Sequence, residues 1–195
     1  MSRSSSKQSR TWWFGVAAAA LALAAVPLAQ PSRAHADGTA TQAAGPFSGG
    51  WELLSFQSAS GKFLNVRGAG GSGAQVIIWD TGGNATDNEK WWIEPWSDGS
   101  YRLHPLYNQS LCLDVPGGNY NTGTYLQVWS CNGRSNQTFR FQPSGGGARN
   151  YIVADWTGSR INKVLDVHSQ DNGERVWLWS PNNSGAQHWL TVKYQ

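Results

Sequence analysis

The chain has little of what catalysis or metal binding usually requires. Its 12 Asp and Glu residues are scattered along 195 positions, and no two of them form the spaced carboxylate pair of a glycosidase. Among its four histidines, His104, His168 and His188 fit neither a metal-ligand spacing nor a catalytic triad. With only two cysteines in a chain expected to be exported, a single disulfide, Cys112–Cys131, is favoured. Beyond the N-terminal region no long helical stripe occurs, so the body is expected to be all-β.

The apparent basicity also needs correction. Arg3, Lys7 and Arg10 precede an apolar run from Trp12 to Val26, and Ala34-His35-Ala36 supplies small residues at a cleavage position. This order describes a secretory signal peptide over residues 1–36, too short to be a comfortable membrane span. Four of the 15 basic residues would leave with it and no acidic ones, so 11 basic face 12 acidic residues. No basic stripe remains for a phosphate backbone, which argues against nucleic acid as a partner. Residues 37–49 are small, polar and Gly-rich and read as a flexible leader, leaving 50–195 as one domain with no room for a catalytic second one. The expected protein is secreted, extracellular, monomeric and not inserted in a membrane.

What the chain does have is a rhythm. Trp79, Trp129 and Trp179 recur every 50 residues, and so do Gly73, Gly123 and Gly173. Upstream lie Leu64-Asn65-Val66, Leu113-Asp114-Val115 and Leu165-Asp166-Val167; downstream lie "NEKW", "NQTF" and "AQHW". Short period-2 runs such as Leu126-Gln127-Val128-Trp129 separate clusters of Gly, Asn and Ser. Three units of short strands are too few for a propeller. They suit a β-trefoil with three repeats of about 50 residues.

These motifs resemble the ricin B-type lectin module, a β-trefoil sugar binder named for its Gln-x-Trp repeat, across the whole body of the chain. The cysteines flank the middle repeat as they do in that family. The resemblance implies carbohydrate binding without catalysis, and no cofactor or metal. It assigns Asp114 and Asn136 to a vicinal pair of hydroxyls, Trp129 to stacking, Gln127 to a further hydroxyl, Gln137 to bracing Asp114, and Phe139 to the core. The chemistry is apt: an indole offers an apolar plate, a carboxylate accepts hydroxyl protons, and a carboxamide both donates and accepts. Galactose-type glycans and plant polysaccharides both fit.

The other repeats are less complete. In the third, Asp166, Trp177, Trp179 and Gln187 make either a second carbohydrate site, with paired indoles as its platform, or a decayed one. In the first, Asn65, Ile77 and Glu89 replace the polar set, and the unit reads as scaffold. Trp51, Trp91, Trp92, Trp96, Trp156 and Trp189 read as core and rim packing. Two other functions remain in view, a hydrolase accessory and a protein-binding or inhibitory trefoil.

Overall fold

The computed structural model describes residues 52–144, 149–157 and 160–194, without the side chains of 155–157, 160 and 161. The segments expected to be a signal peptide (1–36) and a leader (37–49), Trp51 and the Trp156 side chain fall outside this set. Among the described residues, no helix is long and apolar enough to cross a membrane.

Among the described residues, twelve strands follow one another in three sets of four. The first set is β1 (Glu52–Gln57), β2 (Phe63–Val66), β3 (Val76–Trp79) and β4 (Lys90–Pro95). The second is β5 (Tyr101–Pro105), β6 (Leu111–Asp114), β7 (Gln127–Ser130) and β8 (Arg140–Pro143), and the third is β9 (Arg149–Thr157), β10 (Arg160–Val167), β11 (Val176–Trp179) and β12 (Trp189–Lys193).

The outer strands of each set form a ring. β1 pairs with β12 and β4, β4 with β5, β8 with β9, and β9 with β12. The remaining seam, β5 to β8, closes through Tyr101 and Phe139, which exchange two backbone hydrogen bonds of 2.8 Å. Closure leaves the barrel no open sheet edge. The inner strands form three antiparallel hairpins, β2–β3, β6–β7 and β10–β11. This is the β-trefoil expected from the repeat.

The fifty-residue step has a mechanical cause. Gly73, Gly123 and Gly173 hold φ of 89°, 87° and 86°, a left-handed conformation that glycine adopts without a Cβ clash. Each N–H then donates to the next hairpin, at Val128, Leu178 and Ile78 respectively, over 2.8, 2.8 and 2.9 Å. The three hairpins are thereby linked in a cycle. Their period-2 apolar residues all point inward: Leu64, Leu113 and Leu165 are fully buried, as are Val76, Leu126 and Val176.

Trp91, Phe139 and Trp189 occupy corresponding core positions and are also fully buried. Each indole removes roughly 150–250 Å² from water, and its N–H finds a carbonyl, Leu64 for Trp91 at 3.0 Å and Leu165 for Trp189 at 3.3 Å. Phe139 has no N–H to place. Trp96 departs from the core reading. It is 38% exposed, because it begins the tight turn between β4 and β5 rather than facing into the barrel.

Candidate functional site

The middle repeat assembles its five predicted residues around one carboxylate. Asp114 ends β6 opposite Gln127 on β7, and the Cys112–Cys131 disulfide joins the same two segments. Asp114 Oδ1 accepts from Asn136 Nδ2 at 2.7 Å and from Gln137 Nε2 at 3.0 Å; Oδ2 accepts from Gln127 Nε2 at 2.7 Å. These bonds fix the amide orientations, since an amide oxygen turned toward the carboxylate would be repelled.

The roles differ in detail from those the resemblance implies. Asn136 spends both N–H bonds, on Asp114 and on the Val115 carbonyl, and keeps its carbonyl oxygen for a ligand; Gln127 gives one N–H to Asp114 and keeps its oxygen and a second N–H. A carboxylate has about four acceptor positions, and three are filled here. Asp114 is only 2% exposed and presents one remaining edge. Gln137, fully buried, also accepts from Asn132 N at 2.8 Å and donates to Ser130 O at 3.2 Å, bracing both the acid and the loop. Trp129 stands beside this set, 45% exposed. Three acceptors and an indole thus line a hollow of about 560 Å³.

The third repeat is built differently. Asp166 lies opposite Trp177 on the neighbouring strand, and the Trp177 indole N–H donates to Asp166 Oδ1 at 2.8 Å. Trp177 is stacked between Tyr125 (centroids 5.7 Å apart) and Trp179 (4.9 Å), with the Arg175 guanidinium 3.9 Å from the Tyr125 ring. The two indoles do share a face, but both faces of Trp177 are already occupied. Gln187 is fully buried and spends itself on Asn182 N and Ser180 O, at 2.9 and 3.0 Å. It repeats the loop brace of Gln137 without the bond to the acid.

The first repeat inverts the polarity of the middle one. Asn65 takes the place of the acid and donates to Glu89 Oε1 at 2.9 Å. Glu89 Oε2 accepts from Thr86 N, Thr86 Oγ1 and Thr81 Oγ1 at 2.8, 3.1 and 3.2 Å, and the residue is fully buried. The charge is therefore turned away from solvent. A hollow of about 340 Å³ lies between Asn65, Arg67, Ile77 and an exposed Trp79.

A family model, "Ricin-type beta-trefoil lectin domain", matches residues 53–189, more than half of the chain. The chain belongs to this lectin family. Among solved structures it is similar to a designed threefold-symmetric protein, ThreeFoil, with 29% identity and a TM-score of 0.65 over 73% of this chain and 99% of that one. It is also similar to an exo-β-1,3-galactanase from Clostridium thermocellum, with 25% identity and a TM-score of 0.62 over 76% of this chain and 31% of the enzyme. A segment of 37 residues is 46% identical to serine protease 1 of Rarobacter faecitabidus, covering 19% of this chain and 7% of the protease. The chain is a carbohydrate-binding protein by family.

Within this lectin domain the middle hollow includes residues that the repeat did not reveal, notably Tyr120, Asn132, Arg134 and Ser135. Tyr120 lies three residues before Gly123, where the other units have Gly70 and Gln170. A residue without counterparts leaves no trace in a repeat analysis. The only available signal was an aromatic residue in a loop of Gly and Asn.

Proposed function

We propose that the middle repeat is the working sugar site of a secreted, non-catalytic lectin, and that its ligand is a galactose-type glycan. The observation that carries this reading is the convergence of three acceptor oxygens, from Asp114, Gln127 and Asn136, beside the exposed indole of Trp129. Sugar hydroxyls donate to the oxygens while C–H groups cover the plate. Galactose suits such a corner, because its axial 4-hydroxyl gathers the ring C–H groups on one face. The likeness to a galactanase supports the same sugar. Secretion rests on the N-terminal sequence alone. The third repeat contributes at most the outer face of Trp179.

A second reading, an anchor for a hydrolase, draws on the galactanase and the protease, in which the matched part is a fraction of a larger enzyme. It uses the same sugar contacts. Affinity chromatography on galactosyl agarose, followed by a glycan array, tests the proposal. Wild type is expected to be retained and eluted by free galactose, whereas Asp114→Asn flows through. Equal retention of the two proteins removes the middle repeat from the site.

A further inference from the structure

We infer that the Asp114 hollow is one of two adjoining sugar subsites, the second floored by Trp96, so that the protein grips a run of linked sugars. The inference rests on the reading of the Asp114 hollow as a sugar site, and it names a length of ligand which that reading leaves open.

A second hollow of about 340 Å³ is lined by Trp96, Ser97, Asp98, Tyr120, Ser135 and Thr138. Tyr120 and Ser135 line the Asp114 hollow as well. The two depressions therefore share a wall, and a ligand leaving one enters the other across Tyr120.

The second hollow repeats the chemistry of the first with unrelated residues. Trp96 supplies an indole that lies outside the fifty-residue repeat. The Arg102 guanidinium sits 3.4 Å from its ring centroid, and Arg102 itself is only 7% exposed. One face of the indole is thus backed by a buried cation, while the residue lines the hollow and stays 38% exposed. A ring held this way is ordered before any ligand arrives, which lowers the entropic cost of stacking.

The acceptor is Asp98, whose side chain is 59% exposed and lies 3.3 Å from Arg140 Nη2. Its backbone is held at φ 60°. The similar three-residue turns at Arg67–Ala69 and Pro116–Gly118 place Gly68 and Gly117 at 62° and 60°. Asp-Gly is a favoured pair in such a tight turn, and here the turn leaves the Asp98 carboxylate exposed at the hollow's edge. Indole and carboxylate, backed and presented side by side, recur along one groove. A polymer of sugars presents a similar face at each residue, and so meets both.

The test is calorimetric titration of the full chain with galactose and a β-1,3-linked galactotetraose, with xylose and xylotetraose in parallel. In the series that binds, the tetramer is expected to be about five- to tenfold tighter than the monosaccharide, the range of one added aromatic contact. Trp96→Ala should remove that increment and leave monosaccharide affinity within twofold. Because Arg102 loses its stacking partner in this variant, a second readout uses wild type alone. The Trp96 indole N–H resonance should shift with the tetramer and stay fixed with the monosaccharide. A tetramer bound no tighter than its monomer, or an unmoved Trp96 signal, overturns the second subsite. If Asp114→Asn loses all sugar while Trp96→Ala loses none, only the second subsite falls. If Asp114→Asn binds like wild type, or neither series binds, the parent reading falls and the groove with it.

Discussion

The middle and third repeats share a skeleton and differ in how each treats its acid. In both, a buried aspartate faces the neighbouring strand, and a buried glutamine holds the following loop. The decisive substitution is at the cross-strand position, where Gln127 stands in one and Trp177 in the other. An amide that donates to the acid still has an oxygen to offer, whereas an indole that donates has nothing left. One repeat thus ends as a cluster of acceptors under an open plate. The other ends as a stack of rings. The first repeat teaches the same lesson by a third route, since moving its charge to Glu89 buries it. What faces the ligand depends on which half of each polar group the fold has already used.

The strongest way to break this comparison is to remove each acid. Asp114→Ala strands three amide donors, and at about 1–3 kcal/mol for an unsatisfied buried group, relieved in part by rotation toward water, roughly 2–4 kcal/mol of stability should be lost. Sugar affinity should fall at least about a hundredfold, or roughly 2.7 kcal/mol. Asp166→Ala strands one indole N–H, so about 1–2 kcal/mol is expected, with sugar affinity changed less than about threefold. Urea unfolding and calorimetric titration measure both. Equal losses in the two variants would mean that the repeats are not functionally different. Replacing Cys112 and Cys131 together should cost about 3 kcal/mol in the chain-entropy model, with local fraying of the middle repeat visible by hydrogen exchange.

A reciprocal exchange sharpens the point. Gln127→Trp gives the middle acid the partner that Asp166 has, and should weaken sugar binding about tenfold, or 1.4 kcal/mol, with little change in melting temperature. Smaller still is the contrast between plates. Trp129→Ala should weaken binding by about 0.5–1.5 kcal/mol, and Trp79→Ala should leave it unchanged, although the two rings are similarly exposed. A loss at Trp79 comparable to that at Trp129 would bring the first hollow into use.

Much of this was legible before any coordinates. The apolar triplets, the glycines and the tryptophans recur at one step because the trefoil places them by one operation, so the repeat exposes the fold directly. Asp114 and the four residues around it were legible as a set for the same reason. What stayed hidden was direction: nothing in "Gln-x-Trp" says that Gln127 turns its NH₂ inward, nor that Trp177 covers its own acid. Trp96 and Tyr120 were hidden more deeply. They belong to no repeat, and an isolated aromatic residue in a sequence with 12 tryptophans reads as packing. Asn65 and Glu89 read as scaffold because each was compared with its own position; compared as a pair, they are the middle repeat's acid and amide exchanged.

The smallest expected effect concerns how the first and second repeats are tied. The Tyr107 hydroxyl donates to the Gly70 carbonyl, and burial pushes its pKa from 10.0 up to about 12. In the unfolded chain the phenol ionises near its ordinary value, so below pH 10 the folded bond contributes in full. Between pH 10 and about 12 the unfolded state releases its proton while the folded state keeps it, and stability falls as pH rises. Tyr107 is only partly buried, so the slope is modest. Tyr101 adds to it in the same direction, through burial first and the charge of Glu52 second. Tyr107→Phe should therefore flatten, without abolishing, the alkaline decline of the urea midpoint, while stability at neutral pH drops by about 0.5–1.5 kcal/mol for the lost hydrogen bond. A variant with the wild-type slope would show that the phenol ionises alike in both states, and that the bond between the two repeats does not resist its titration.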